Sequence, residues 1–142
     1  MTATVTITVP MPPTCLGGNA RGRTMGAKIA ETNARREQRD SAHAQALAAI
    51  GRAERWKQAV YVVTATFANN RLRDRDNILR SVKSAIDGFA DAVMVGGSDG
   101  EIGPLVVLRT VDENAIPSVA IEFRRGVLAF DSAKWQAYFV PT

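Results

Sequence analysis

The apolar residues of this chain keep two different rhythms. Val5-Thr6-Ile7-Thr8-Val9 alternates strictly and is β-branched at every position, which predicts a strand with Val5, Ile7 and Val9 turned inward. Pro10-Met11-Pro12-Pro13 closes it, because proline cannot feed a sheet ladder. The run AVYVVTATF, residues 59–67, is β-branched and aromatic and predicts a second, central strand. Between the two, residues 27–50 contain neither Gly nor Pro and are rich in Ala, Glu, Gln and Arg. That composition predicts a helix, with Gly51 as its stop. Its apolar side is mostly alanine, while Lys28, Arg35, Arg36 and Arg39 are expected in solvent, and Glu31–Arg35 has the favourable i,i+4 polarity. Ile78, Val82, Ala85, Ile86 and Phe89 then recur at helical spacing and predict one helix from about Asp76 to Phe89. Strands are expected at Leu105–Arg109 and Val119–Phe123, joined as a hairpin with a loose loop around Asp112-Glu113-Asn114. Phe130, Trp135, Tyr138 and Phe139 crowd a final stretch without a clear period. These elements predict an α+β single domain, a mixed sheet of about four strands with two main helices. The domain is expected over residues 1–125, with 126–142 an extension packed on it or on a dimer partner.

Composition narrows the class. The chain has 142 residues, 46% of them hydrophobic and 23% charged, enough for one folded core and no more than one domain. No run approaches the ~18 apolar residues of a membrane span, and no signal peptide is read, so a cytoplasmic protein without a membrane partner is expected. One cysteine, Cys15, excludes an internal disulfide and a cysteine-based zinc site. His43, the only histidine, falls on the long helix without partners and reads as a plain helix residue. The net charge of +4 is uneven: residues 1–80 carry 13 Lys and Arg against 6 Asp and Glu, while residues 81–142 carry 5 against 8. A basic half beside an acidic one suggests a surface for a polyanion.

The chemistry concentrates in Arg71-Leu72-Arg73-Asp74-Arg75-Asp76-Asn77, between the central strand and the second helix. In an extended segment Asp74 and Asp76 point to one side, with Cα atoms ~7 Å apart. Such carboxylates can share one divalent ion or flank a pair, and Mg²⁺ takes one or two carboxylates with water and phosphate oxygens. Arg71, Arg73 and Arg75 suit the phosphates. The plainer reading is that Asp74 or Asp76 only caps the helix. On one continuous helix Asp76, Arg80, Lys83 and Asp87 form a stripe, either a solvated face or a cation placed behind a metal site. The long glycine-rich segment from Thr14 to Gly26 carries Arg21 and Arg23, and reads equally as a loop that brings them to phosphates or as a plain connector.

The order of parts resembles the RusA-like Holliday-junction resolvases. It comprises a strand ending in VPMPP, then R-G-R-T, a basic helix, a strand, the D-R-D-N box opening a helix, and a late acid in GGSDGEI. The resemblance covers roughly residues 4–125. It implies a homodimer that cuts four-way DNA junctions with Mg²⁺, Mn²⁺ being a possible substitute. It also implies that Asp74, Asp76 and Asp99 hold the metal. Arg80 stands where the family usually has lysine, Ser98 replaces one of two adjacent acids, and Glu101 stands where glutamine is common. Arginine keeps the charge but does not give up a proton, so the resemblance assigns Arg80 to the scissile phosphate rather than to proton transfer. The DNA contacts expected are Arg21, Arg23, Arg71, Arg73, Arg75 and Lys83. A non-catalytic basic DNA-binding protein is the alternative, and a small-molecule phosphohydrolase is a third reading. The acids separate the first two, since carboxylates inside a phosphate-binding patch repel the ligand unless a cation intervenes.

Overall fold

A computed structural model describes residues 3–13, 16, 24–71, 73–97 and 99–142, with Asp99 described in its backbone only. Arg21, Arg23 and Cys15 lie outside the described residues. The elements run β1 (Thr4–Pro10), α1 (Met25–Ile50), β2 (Ala59–Phe67), α2 (Arg75–Ser81), α3 (Lys83–Val93), β3 (Ile102–Val111), β4 (Ser118–Asp131) and β5 (Gln136–Pro141). The result is a single α+β domain: a mixed five-stranded sheet with three helices. The main sheet has the order β1-β4-β2-β3, and β5 extends it by pairing with the far end of β4. Only β2 and β3 run parallel. Among the described residues no helix is long and apolar enough to cross a membrane.

The strand rhythm read from sequence sets the core. Val5, Ile7 and Val9 are buried, as are Tyr61, Val63, Ala65 and Phe67 of β2 and Val119, Ile121 and Phe123 of β4. The register places Val63 against Ile121 and Tyr61 against Phe123, so these side chains share one face. Phe89 of α3 stacks on Phe123, rings 3.7 Å apart and 4° from parallel, and meets Trp56 edge-on at 5.5 Å. Each such aromatic, fully buried, contributes ~1.5–3 kcal/mol. Trp56 is locked in turn by a bridge to Met94: its N–H donates to the Val93 carbonyl and its carbonyl accepts from Val95.

Two sequence expectations are corrected. Strands β3 and β4 are not a hairpin, because β2 lies between them. The α2–α3 connection carries the chain back so that β3 can run parallel to β2, and the 112–117 turn then crosses the end of β2. There the Asp112 N–H bonds the Phe67 carbonyl. The single helix expected from Asp76 to Phe89 is two helices, broken at Val82 (φ −109°, ψ 9°), and the second continues to Val93.

Helices α1 and α3 approach so closely that a Cβ on Gly88 would press into the Arg39 carbonyl and the Ala42 side chain. Glycine is required here by the space, not by its dihedral angles. An Arg39–Asp91 ion pair at 2.6 Å spans the same contact, and its hydrogen bond raises the Arg39 guanidinium above its ordinary pKa.

Candidate functional site

The arginine- and aspartate-rich box is built by a tight turn that leaves β2. The Asn69 side-chain carbonyl accepts from the Arg71 N–H (3.1 Å) and from Arg73 Nη2 (3.0 Å). Arg73 Nη1 donates to the Arg71 carbonyl at 2.8 Å, and its Cζ stands 3.8 Å above the Phe67 ring centroid. Arg73, expected among the phosphate contacts, is therefore folded back onto the end of β2 and fixes the turn. Leu72 lies outside the described residues.

Asp74 caps α2. Its backbone is extended (φ −74°, ψ 126°) and its Oδ1 accepts from the Asp76 N–H at 2.9 Å. The Ile78 N–H then bonds the Asp74 carbonyl, closing the first helical turn. The two acids thus do not share an extended segment, and the alternation expected between them does not apply. Asp74 is the cap and Asp76 belongs to the first turn. The cap bond uses one Asp74 oxygen and leaves the other open. A cap of this kind stabilises a helix by ~1 kcal/mol.

Elsewhere acids and bases pair off, in Glu31–Arg35, Arg39–Asp91, Lys83–Asp87, Glu122–Arg124 and Glu54–Arg125. Within the box the pattern differs. Asp74, Asp76, Arg71, Arg75 and Arg80 are all exposed, and none forms an ion pair with another described residue. Opposite charges stand side by side in sequence without closing on one another. The expected stripe through Arg80 and Lys83 is divided by the break at Val82. Arg80 ends α2, while Lys83 begins α3 and bonds Asp87 at 2.6 Å.

Asp99 opens a 3-10 turn, Asp99–Glu101, that leads into β3. The glycine turn before it uses left-handed backbone at Gly96 (φ 76°) and Gly97 (φ 67°), where a side chain would be strained. The box follows Phe67, whose partner is Val111, at one end of the β2–β3 pair. Asp99 precedes Ile102, whose partner is Ala59, at the other end. Asp74 and Asp76 are neighbours through the start of α2, and the sheet register does not itself bring Asp99 to them. Among the described residues no three His, Cys, Asp or Glu side chains gather closely enough to hold a metal ion. The Asp99 side chain is outside them.

Sequence reasoning missed Asn69 and Gln38. Gln38 is buried on α1, its amide bonded to the Ser81 carbonyl and to the Ala85 N–H. Its signal was available: positions 38, 42 and 46 form one stripe at four-residue spacing, and Gln38 is the polar member beside Ala42 and Ala46.

No protein-family model matches the chain, and no curated protein matches it.

Proposed function

We propose that this chain is a metal-dependent endonuclease for branched DNA, working as the RusA-like resolvases it resembles. One observation carries the reading: two exposed carboxylates stand among exposed arginines at a helix N-terminus, and none of them forms an ion pair with another described residue. Carboxylates without an ion pair in the middle of a phosphate-attracting turn repel the ligand unless a cation sits between them. The donor set fits such an ion. The open Asp74 oxygen and the Asp76 carboxylate are hard oxygen ligands of the kind Mg²⁺ or Mn²⁺ takes beside water and phosphate. Asp99 is the proposed third donor.

When bound, the ion polarises a phosphoryl oxygen and makes a water more acidic. Asp74 and Asp76 hold that charge in place. Arg71 and Arg75 draw the DNA backbone to it. Arg80, one turn behind Asp76, holds negative charge on the scissile phosphate without giving up its proton. Two symmetric cuts on a junction require two boxes, hence a homodimer.

The cap role of Asp74 favours one competing reading, a non-catalytic DNA binder whose acids only start a helix. A labelled four-way junction and a matched duplex, each incubated with the protein in Mg²⁺ and in EDTA, separate the two. Junction cutting in Mg²⁺ alone is expected. Junction binding with no cutting in either buffer establishes the non-catalytic reading instead. Asp99→Asn tests the third donor: an unchanged cutting rate removes Asp99 from the site and leaves Glu101 as the next acid to examine.

A further inference from the structure

In an unbroken helix the Ala85 N–H donates to the Ser81 carbonyl, four residues back. Here a side chain from another helix stands in that gap. Gln38 Nε2 donates to the Ser81 carbonyl at 2.9 Å, and Gln38 Oε1 accepts from the Ala85 N–H at 3.0 Å. One primary amide supplies both halves of the missing bond. The Ala85 N–H also reaches the Val82 carbonyl at 3.0 Å, the first turn of α3. On the other side Ser81 Oγ donates to the Ile78 carbonyl at 2.6 Å, closing α2.

Neither glycine nor proline accounts for this break. Residues 78–85 contain no Gly or Pro, and their apolar positions keep helical spacing across Val82. Helices kink where proline or glycine intervenes or where a side chain enters the hydrogen-bond ladder, and only the last applies here. Gln38 is 8% exposed, so water is not competing for its amide. The glycine contact at Gly88 and the Arg39–Asp91 pair hold α1 at the distance from which Gln38 reaches the gap.

We propose that Gln38 is a positioning residue: its amide, inserted between Ser81 and Ala85, keeps the helix broken at Val82 and so sets the direction of the segment carrying Asp74, Asp76 and Arg80. The functional half of this inference rests on the nuclease reading; the conformational half does not. Without the amide, the Ser81 carbonyl loses its Gln38 donor and the Ala85 N–H keeps only the Val82 carbonyl, so the two are either left in that state or free to bond each other, which straightens α2 onto α3. Either outcome moves the box relative to the sheet.

The test uses Gln38→Met, which keeps the length and removes the amide, beside Val119→Ala, which weakens the same core from β4 and leaves the Ser81–Ala85 gap and its amide in place. The Cα chemical shift of Val82 and the amide shift of Ala85 report the break without metal or DNA. Both are expected to move in Gln38→Met and to stay in Val119→Ala. Junction cutting by Gln38→Met is expected to fall by about a hundredfold, as for a misplaced reacting group, with a higher Mg²⁺ requirement that matched destabilisation in Val119→Ala does not reproduce. Should Gln38→Met be too unstable, Gln38→Asn serves, its amide one methylene too short to span both groups. Unchanged Val82 and Ala85 shifts in a folded variant overturn the proposal. Shifted signals in a protein whose wild type neither binds Mg²⁺ nor cuts DNA uphold the wedge and defeat the nuclease reading alone.

Discussion

Two residues of the box have structural duties that mutagenesis must separate from chemistry. Asp74 caps α2 through one oxygen, and asparagine caps about as well as aspartate. Asp74→Asn is therefore expected to keep the melting temperature while abolishing metal-dependent cutting and preserving or tightening junction binding, since a negative charge leaves a phosphate site. Asp74→Ala should in addition lose ~1 kcal/mol of stability. Cutting by Asp74→Asn at the wild-type rate would remove the metal assignment. Arg73 and Arg75 divide in the same manner. Arg73 lies over Phe67 and bonds the turn, whereas Arg75 is exposed without an ion pair. Arg75→Ala should weaken DNA binding and flatten its salt dependence by about one unit of log–log slope, with stability unchanged. Arg73→Ala should lower stability by ~1 kcal/mol through the lost cation–π and turn contacts. Equal melting curves for the two variants would contradict this division.

At the scale of elements, the long helix, the first strand and the central strand were legible because each is set by its own residues: propensity for α1, alternation for β1, β-branching for β2. The box, too, could be read as a helix start. The break at Val82 could not, because its cause, Gln38, is 43 residues away from Ser81. Nor could the separation of β3 from β4, since hydrophobic spacing names strands and not their neighbours. The final stretch showed no period because its strands, Ser118–Asp131 and Gln136–Pro141, carry apolar residues on both faces beyond Arg125. Gly88 belongs to this scale as well. Its missing Cβ lets α1 lie on α3, so Gly88→Ala must push the helices apart. A loss of ~1–3 kcal/mol by overpacking is expected in urea unfolding, and a neutral result would mean that α1 can shift without cost.

The whole molecule carries its helices against one face of the sheet and ends in an exposed apolar ribbon. At Arg125 the N–H bonds the Ala3 carbonyl and the carbonyl accepts from Thr142 N–H, so β5 continues the line of β1 along β4. Past Gly126, whose N–H still bonds the Gln58 carbonyl, β4 pairs with β5 alone. A two-stranded ribbon is marginal by itself, yet this one leaves Phe130 57%, Tyr138 49% and Trp135 84% exposed, with Phe130 and Trp135 in edge contact at 5.7 Å. Apolar surface held outward in this way is surface that a second copy, carrying the same ribbon, would cover. A two-fold pairing of such ribbons would present two boxes to the two symmetry-related strands of a junction. Sedimentation at micromolar concentration is expected to give about twice the chain mass of 15.3 kDa. Phe130→Ser combined with Trp135→Ser, which leaves the core and the box untouched, should return the mass to one chain and convert paired junction cuts into single nicks. A wild type that sediments as one chain yet still makes paired cuts would refute the dimer, and a double variant that stays dimeric would move the interface to the exposed edge of β3.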